Sequence, residues 1–194
     1  MDVITNLLYW LSTGLLIPVI IFLLFFFAKS LLMIGGFYGS YITRTKVNVK
    51  INKAIESVSA QELLDGIEDN KNKKSKLIES LIRIKNHSTN LPMMDKILGD
   101  YEVSAEKELN GSKLLVKIGP MLGLMGTLIP MGPALVGLAT GDVASMASNM
   151  QVAFATTVVG IIIGAIGFIS LQVKQRWVAD DMNILEYVVE SIKK

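Results

Sequence analysis

The chain has 194 residues, of which 51% are hydrophobic, and a mean hydropathy of +0.48, a membrane-like composition that leaves no room for a soluble enzyme domain. Its 19 basic and 17 acidic residues nearly cancel, so net charge gives no support to nucleic-acid binding. With no cysteine in the chain, disulfides and thiolate metal sites are excluded.

Residues 1–44 open with an apolar stretch too long and too bulky for a cleaved signal peptide, with no cleavage-like site after Ala28. Leu7 to Ala28 is expected to span a membrane by itself and to stay. Tyr9 and Trp10 are placed as an outer aromatic anchor, with Tyr38 and Tyr41 flanking the other end. Lys29, at the end of the apolar run, is expected to snorkel toward headgroups; an intramembrane charge is the alternative. Leu, Ile and Phe all round this helix suit lipid, so its expected place is the periphery of an assembly.

Residues 45–112 lose the hydrophobic run and keep a helical period. Ser59-Ala60-Gln61-Glu62 has the form of a capping box, opening a short helix that Gly66 closes. Leu77, Ile78, Leu81, Ile82 and Ile84 mark a second, amphipathic helix. Pro92, after Thr89 and Asn90, opens a third, carrying Met93, Met94, Ile97, Leu98, Tyr101 and Leu109 toward the next membrane segment. The basic run Lys71-Asn72-Lys73-Lys74-Ser75-Lys76 reads as a solvated linker, with contact to anionic lipid as the alternative. His87 sits in charged sequence, where a solvated side chain fits better than a metal ligand. Between Arg44 and Lys117 lie 14 of the 19 Lys and Arg. The positive-inside rule therefore puts residues 45–112 in the cytoplasm, and the N-terminus outside.

Residues 113–173 form two apolar runs, each long enough to cross a bilayer, broken at Ala139-Thr140-Gly141-Asp142; this reads as a transmembrane hairpin with its turn outside. Small residues step by three and four in both: Gly119, Gly123, Gly126, Pro130, Pro133 and Gly137 in the first, then Ala153, Thr157, Gly160, Gly164 and Gly167 in the second. Such seams let backbones approach closely where lipid supplies no hydrophobic drive. The expectation drawn is self-association with further copies; packing within one hairpin is the alternative. Thr127 and Thr157 stand 14 and 16 residues from Gly141, about 3 Å apart in depth near mid-membrane. A lone Thr usually bonds back to the preceding turn; a pair at one depth is less ordinary. Residues 174–194 keep an apolar stripe, Val178, Met182, Leu185, Val189 and Ile192, so the last membrane helix is expected to continue as an amphipathic cytoplasmic helix packed on the middle segment of the same or a neighbouring subunit.

Gly119-Pro120-Met121-Leu122-Gly123-Leu124-Met125-Gly126-Thr127-Leu128 resembles the APLLGLLGTV-type signature of the MotA/TolQ/ExbB proton-channel family. Ala153-Phe154-Ala155-Thr156-Thr157-Val158-Val159-Gly160-Ile161 is similar to that family's next-helix pattern, AL-x-x-T-x-x-GL. Order and separation match as well. The resemblance covers residues 110 to 172, the first helix by topology alone and the middle segment hardly at all. Flagellar stator proteins have four membrane helices and a larger cytoplasmic part, so three helices look closer to TolQ and ExbB. The resemblance implies an all-α polytopic protein of the cytoplasmic membrane, a homopentamer around a central pore. By the same carry-over Thr127 and Thr157 line that pore, with Thr156, beside the motif position, a weaker candidate.

From Ile118 to Val173 the only ionisable residue is Asp142, at the turn, so this chain holds no mid-membrane carboxylate to carry a proton. The resemblance supplies one from a single-span partner of the MotB/TolR/ExbD type, two of whose helices sit in the pore while protonation rotates the pentamer around them. The function expected is thus a proton-channel subunit of a motor, with no cofactor and no metal. A membrane scaffold whose seams serve packing alone is the first alternative. A transporter with a helix broken at Pro130 and Pro133 is another. Enzyme chemistry has no mid-membrane His, Cys or acid pair to perform it.

Overall fold

The computed structural model describes residues 2–57 and 76–193, with no strand among them. The described residues form five helices: α1 Asp2–Gly14, α2 Leu16–Ser57, α3 Lys76–Asn86, α4 Leu91–Thr140 and α5 Val143–Lys193. Stretches long and apolar enough to cross a membrane lie at Tyr9–Phe37 and within α4 and α5, so the all-α, three-span architecture holds. The capping box at 59–62, Gly66 and residues 71–75 of the basic run lie outside the described residues.

The first apolar helix departs from expectation in two ways. It is interrupted at Leu15, because Pro18 has no N–H and its ring crowds the carbonyl of Gly14 one turn back. Leu15 and Val19 still donate to Leu11 and Leu15, both at 3.1 Å, so the chain continues in nearly the same path. Beyond the apolar run, α2 stays helical to Ser57, well past residue 44.

The start of α4 follows the sequence: Asn90 caps it, its Oδ1 accepting from the Met93 amide at 3.2 Å, and Pro92 occupies the first turn. The helix then runs through Pro120, Pro130 and Pro133 without a break. That removes the broken helix the transporter alternative requires. At its other end Gly141 takes φ +76, with its amide on the Leu138 carbonyl and the Asp142 amide on the Gly137 carbonyl at 2.8 Å, a Schellman ending. Asp142 then caps α5, its Oδ1 accepting from the Ser145 amide at 3.0 Å. The one ionisable residue between Ile118 and Val173 is thereby accounted for by the turn.

The chain divides into two compact units. One comprises Phe37–Asn110 and Gln172–Lys194. Its core brings Leu77, Leu81 and Ile84 of α3 and Met94, Ile97 and Tyr101 of α4 onto Leu185, Val188 and Val189 of α5, with Val178, Met182 and Ile192 packed against them. The apolar stripe of residues 174–194 meets the middle segment of its own chain. Within this core Tyr101 Oη donates to Asp181 Oδ2 at 2.5 Å. Ion pairs Arg83–Asp100 at 3.1 Å and Lys193–Asp95 at 2.9 Å sit at its exposed edge, where each contributes little. Exposed His87 has Nδ1 2.9 Å from the Arg83 carbonyl. Trp177 stacks on Phe37 at 5.3 Å and approaches Tyr41 at 6.0 Å, an aromatic group at the end of the first span.

The other unit comprises the chain up to Gly36 together with Gly111–Leu171. One stripe of α2 is buried, Val19, Leu23 and Ser30, while Ile17, Ile21, Phe22 and Leu24 beside it remain exposed. Lys29 Nζ lies 5.9 Å from the Phe26 ring centroid of its own helix.

Candidate functional site

The hairpin of α4 and α5 closes along a seam of missing side chains. A Cβ added to Gly119 would lie 2.8 Å from the Gly160 carbonyl oxygen and 2.9 Å from the Gly164 nitrogen. One on Gly160 would lie 2.7 Å from both the Gly119 oxygen and the Gly123 Cα. Further along, Gly164 meets Pro120, Gly167 meets Leu115, and Gly126 meets Thr156. At Gly119 and Gly160 the nearest atoms are backbone, too close for any side chain, whereas Gly164 and Gly126 take side-chain atoms of Pro120 and Thr156. The two seams therefore face each other inside one chain. Self-association was expected because a single hairpin could hardly use both; the structure shows that it does, since antiparallel runs leaving one turn bring equidistant glycines into register.

The buried line of α5 is Ala153, Thr156, Gly160, Ile163, Gly164 and Gly167, so it passes through Thr156 and leaves Thr157 at its edge. On α4, Ala134 is buried where the stepping pointed to Pro133. The signal was available: from Ala153 to Gly160, either Thr156 or Thr157 satisfies a three-and-four alternation, and one residue is worth about 100° around the helix. Only contact with the facing helix separates them.

The three threonines consequently occupy different surroundings. Thr156 is 6% exposed and abuts Gly126, and its Oγ1 donates back to the carbonyls of Val152 and Ala153 at 3.0 and 2.9 Å. Thr127 and Thr157 are half-buried; Thr127 Oγ1 reaches the Leu124 carbonyl at 2.7 Å, and Thr157 Oγ1 the Ala153 carbonyl at 3.2 Å. A hydroxyl bonded back in this way keeps oxygen lone pairs that accept from an incoming O–H.

Placement on the hairpin's two flanks is more informative. Helix α2 covers one flank, where Leu23 packs with Leu115 and Ile163 beside Leu122 and Val159. Thr157 is two residues from Val159, about 200° around α5, and Thr127 is five from Leu122, about 140° around α4. Both threonines therefore project toward the flank that α2 leaves open. The Gly126–Thr156 contact also fixes their depth. Thr127 lies one residue nearer the Gly141 turn on its helix and Thr157 one residue farther on the other, an offset of about 3 Å.

Where the α2-covered flank approaches the other end of the hairpin, Ser112 and Ser170 hydroxyls meet at 3.2 Å, both buried, and Ser112 Oγ also reaches Met33 Sδ at 3.6 Å. No sequence pattern marks this polar contact between three helices, because single serines at the ends of apolar runs carry none.

Helices throughout the described residues, three of them carrying candidate membrane spans, and a glycine-sealed hairpin define a polytopic membrane protein. The profile of the MotA/TolQ/ExbB proton channel family matches residues 54–186, more than half of the chain, and the chain belongs to that family. The match begins well inside the middle segment, where the motifs by themselves indicated hardly any resemblance. A biopolymer transport ExbB homolog of Methanothermobacter thermautotrophicus is 27% identical over 130 residues, covering 66% of this chain and 47% of that protein, so the chain spans about half the length of this relative.

Proposed function

We propose that the chain is the pore-forming subunit of a proton channel that couples proton flow to movement of a partner. The observation that carries this reading is the open flank of the hairpin. Thr127 and Thr157 stand there at one depth in a membrane span with no ionisable side chain, so the flank offers hydroxyl oxygens and no charge of its own. A mid-membrane carboxyl from a single-span helix of the MotB/TolR/ExbD type would find acceptors there when protonated. When ionised it would find donors, once the hydroxyls rotate off their own carbonyls. Neither state requires burying a second charge.

Five copies arranged with these flanks inward would enclose such helices, leaving α2 at the lipid-facing rim. The exposed Leu, Ile and Phe of α2 suit that position. Membership of a proton-channel family supports the same reading. The chain's place is the cytoplasmic membrane, with residues 45–112 and the C-terminus inside and the Asp142 turn outside.

A structural scaffold is the second reading, and two observations favour it: the seams face each other inside the hairpin, and all three threonine hydroxyls bond to their own helices. Proton flux into vesicles holding the chain with its partner separates the two. Thr127→Val or Thr157→Val keeps the shape and removes the hydroxyl, leaving the carboxyl short of a hydrogen bond at about 1 to 3 kcal/mol, a loss of about 5- to 150-fold in rate. Thr→Ser at either position restores flux. Val forms that conduct as well as the parent would establish the scaffold.

A further inference from the structure

We infer that Thr156 is a positioning residue: its contact with Gly126 sets the register of the hairpin and thereby places Thr127 and Thr157 in one layer. The inference rests on the proton-channel reading for its functional consequence, and on geometry alone for the register.

Glycine facing glycine, as at Gly119, Gly123 and Gly160, presents flat backbone to flat backbone, and such surfaces hold helices close without fixing how far one slides along the other. Gly126 is different, as is Gly164 at the Pro120 ring, but Gly126 is the contact next to both open-flank threonines. A Cβ there would lie 2.6 Å from both Cβ and Oγ1 of Thr156 and 3.0 Å from its Cγ2, so three atoms of one stiff, β-branched side chain fill the notch that a single glycine leaves. Thr156 is held in that rotamer by donating to two carbonyls of its own helix. Its hydroxyl is thereby occupied and its shape is what the neighbour reads. Thr127 follows Gly126 directly and Thr157 follows Thr156 directly, on helices running in opposite directions. Any slide at this contact changes the depth offset between the two open-flank hydroxyls one for one.

Two measurements on the full chain with its partner test this: proton flux into vesicles, and the distance between spin labels at Leu128→Cys and Val158→Cys. Both label sites are exposed, and the chain has no cysteine of its own; unlabelled chain is added in excess so that labels report within one hairpin. Thr156→Val, which keeps the shape and discards the hydroxyl, should leave distance and flux as in the parent. Gly126→Ala should shift the distance and lower flux by about 100-fold, the scale of a misplacement of order 1 Å. Gly126→Ala combined with Thr156→Gly moves the notch to the other helix and should return both readouts toward the parent. A Thr156→Val form that loses flux at an unchanged distance overturns the inference by making the hydroxyl the active feature. So does a Gly126→Ala form with an unshifted distance, or a combined form no better than Gly126→Ala. If the distances behave as expected while no form, the parent included, conducts protons, the register lock stands and the proton-channel reading falls.

Discussion

Helices α4 and α5 contribute to both compact units, and they pack in opposite ways in the two. Between Gly111 and Leu171 they touch through glycine, with backbone atoms in contact and large side chains turned outward: Leu124, Leu128, Phe154 and Ile161 are all exposed. In the unit holding the rest of each helix, Met94, Ile97, Leu185 and Val188 are wholly buried, and the ion pairs lie at the exposed edge, with Asp181 alone of the described carboxylates buried against Tyr101. The same pair of helices thus uses absence of side chain in one place and bulk in the other. The surroundings account for it. Water rewards burial of a large apolar side chain by about 1.5–3 kcal/mol; lipid, as apolar as leucine, rewards only close contact and satisfied polar groups.

Adding bulk should therefore wreck the first unit, and removing it should wreck the second. Gly160→Leu carries the largest expected effect, because a Cβ there meets backbone of both Gly119 and Gly123 at 2.7 Å, and backbone cannot rotate away. No folded chain should be recovered in detergent; recovery with parent-like helix content and melting would refute the seam. Leu185→Ala comes next. At 0% exposure in the centre of the other core, its loss should cost about 2–5 kcal/mol in denaturant unfolding. A cost below about 1 kcal/mol would mean that this core collapses freely around the gap.

Asp142→Ala tests the hairpin from its turn and should cost about 1 kcal/mol, the worth of the lost cap on the Ser145 amide. Asp142→Asn keeps the acceptor and should recover most of that. Unchanged stability in the Ala form would show that the glycine seam alone closes the hairpin.

Lys174→Met should have the smallest effect, and its sign is informative. Burial pushes the Lys174 ammonium below the ordinary lysine value of 10.5, and nearby Glu108 pulls it partway back. The folded chain therefore holds this proton more weakly than the unfolded chain does. The resulting penalty is fully present below the folded value and fades as pH rises through 10.5. Lys174→Met should raise the denaturation midpoint at pH 7 slightly, with the gain narrowing toward alkaline pH. A lowered midpoint at pH 7 would show that attraction to Glu108 outweighs burial.

What a residue does along its own helix could be read directly from the chain. The cap at Asn90 with Pro92 behind it, the turn at Gly141 and Asp142, and the apolar lengths that make three spans all depend on neighbours within a few positions. So does the stripe through Leu185 and Val189, since a helical period is a local property. The break at Leu15 has an equally local cause, Pro18 four residues after Gly14, yet it falls inside the stretch expected to run unbroken from Leu7 to Ala28.

The stripe of residues 174–194 apart, which surface each stripe meets was decided by tertiary contact alone. The two glycine seams were legible one at a time, but nothing in either run states that its partner is the other. Thr156 and Thr157 are adjacent, chemically identical and equally compatible with the small-residue stepping; one fills the notch at Gly126 and the other edges the open flank, because 100° of rotation per residue separates them and only the facing helix fixes the zero of that angle. The flank that α2 leaves uncovered, and with it the side toward which Thr127 and Thr157 project, exists only once three helices are packed.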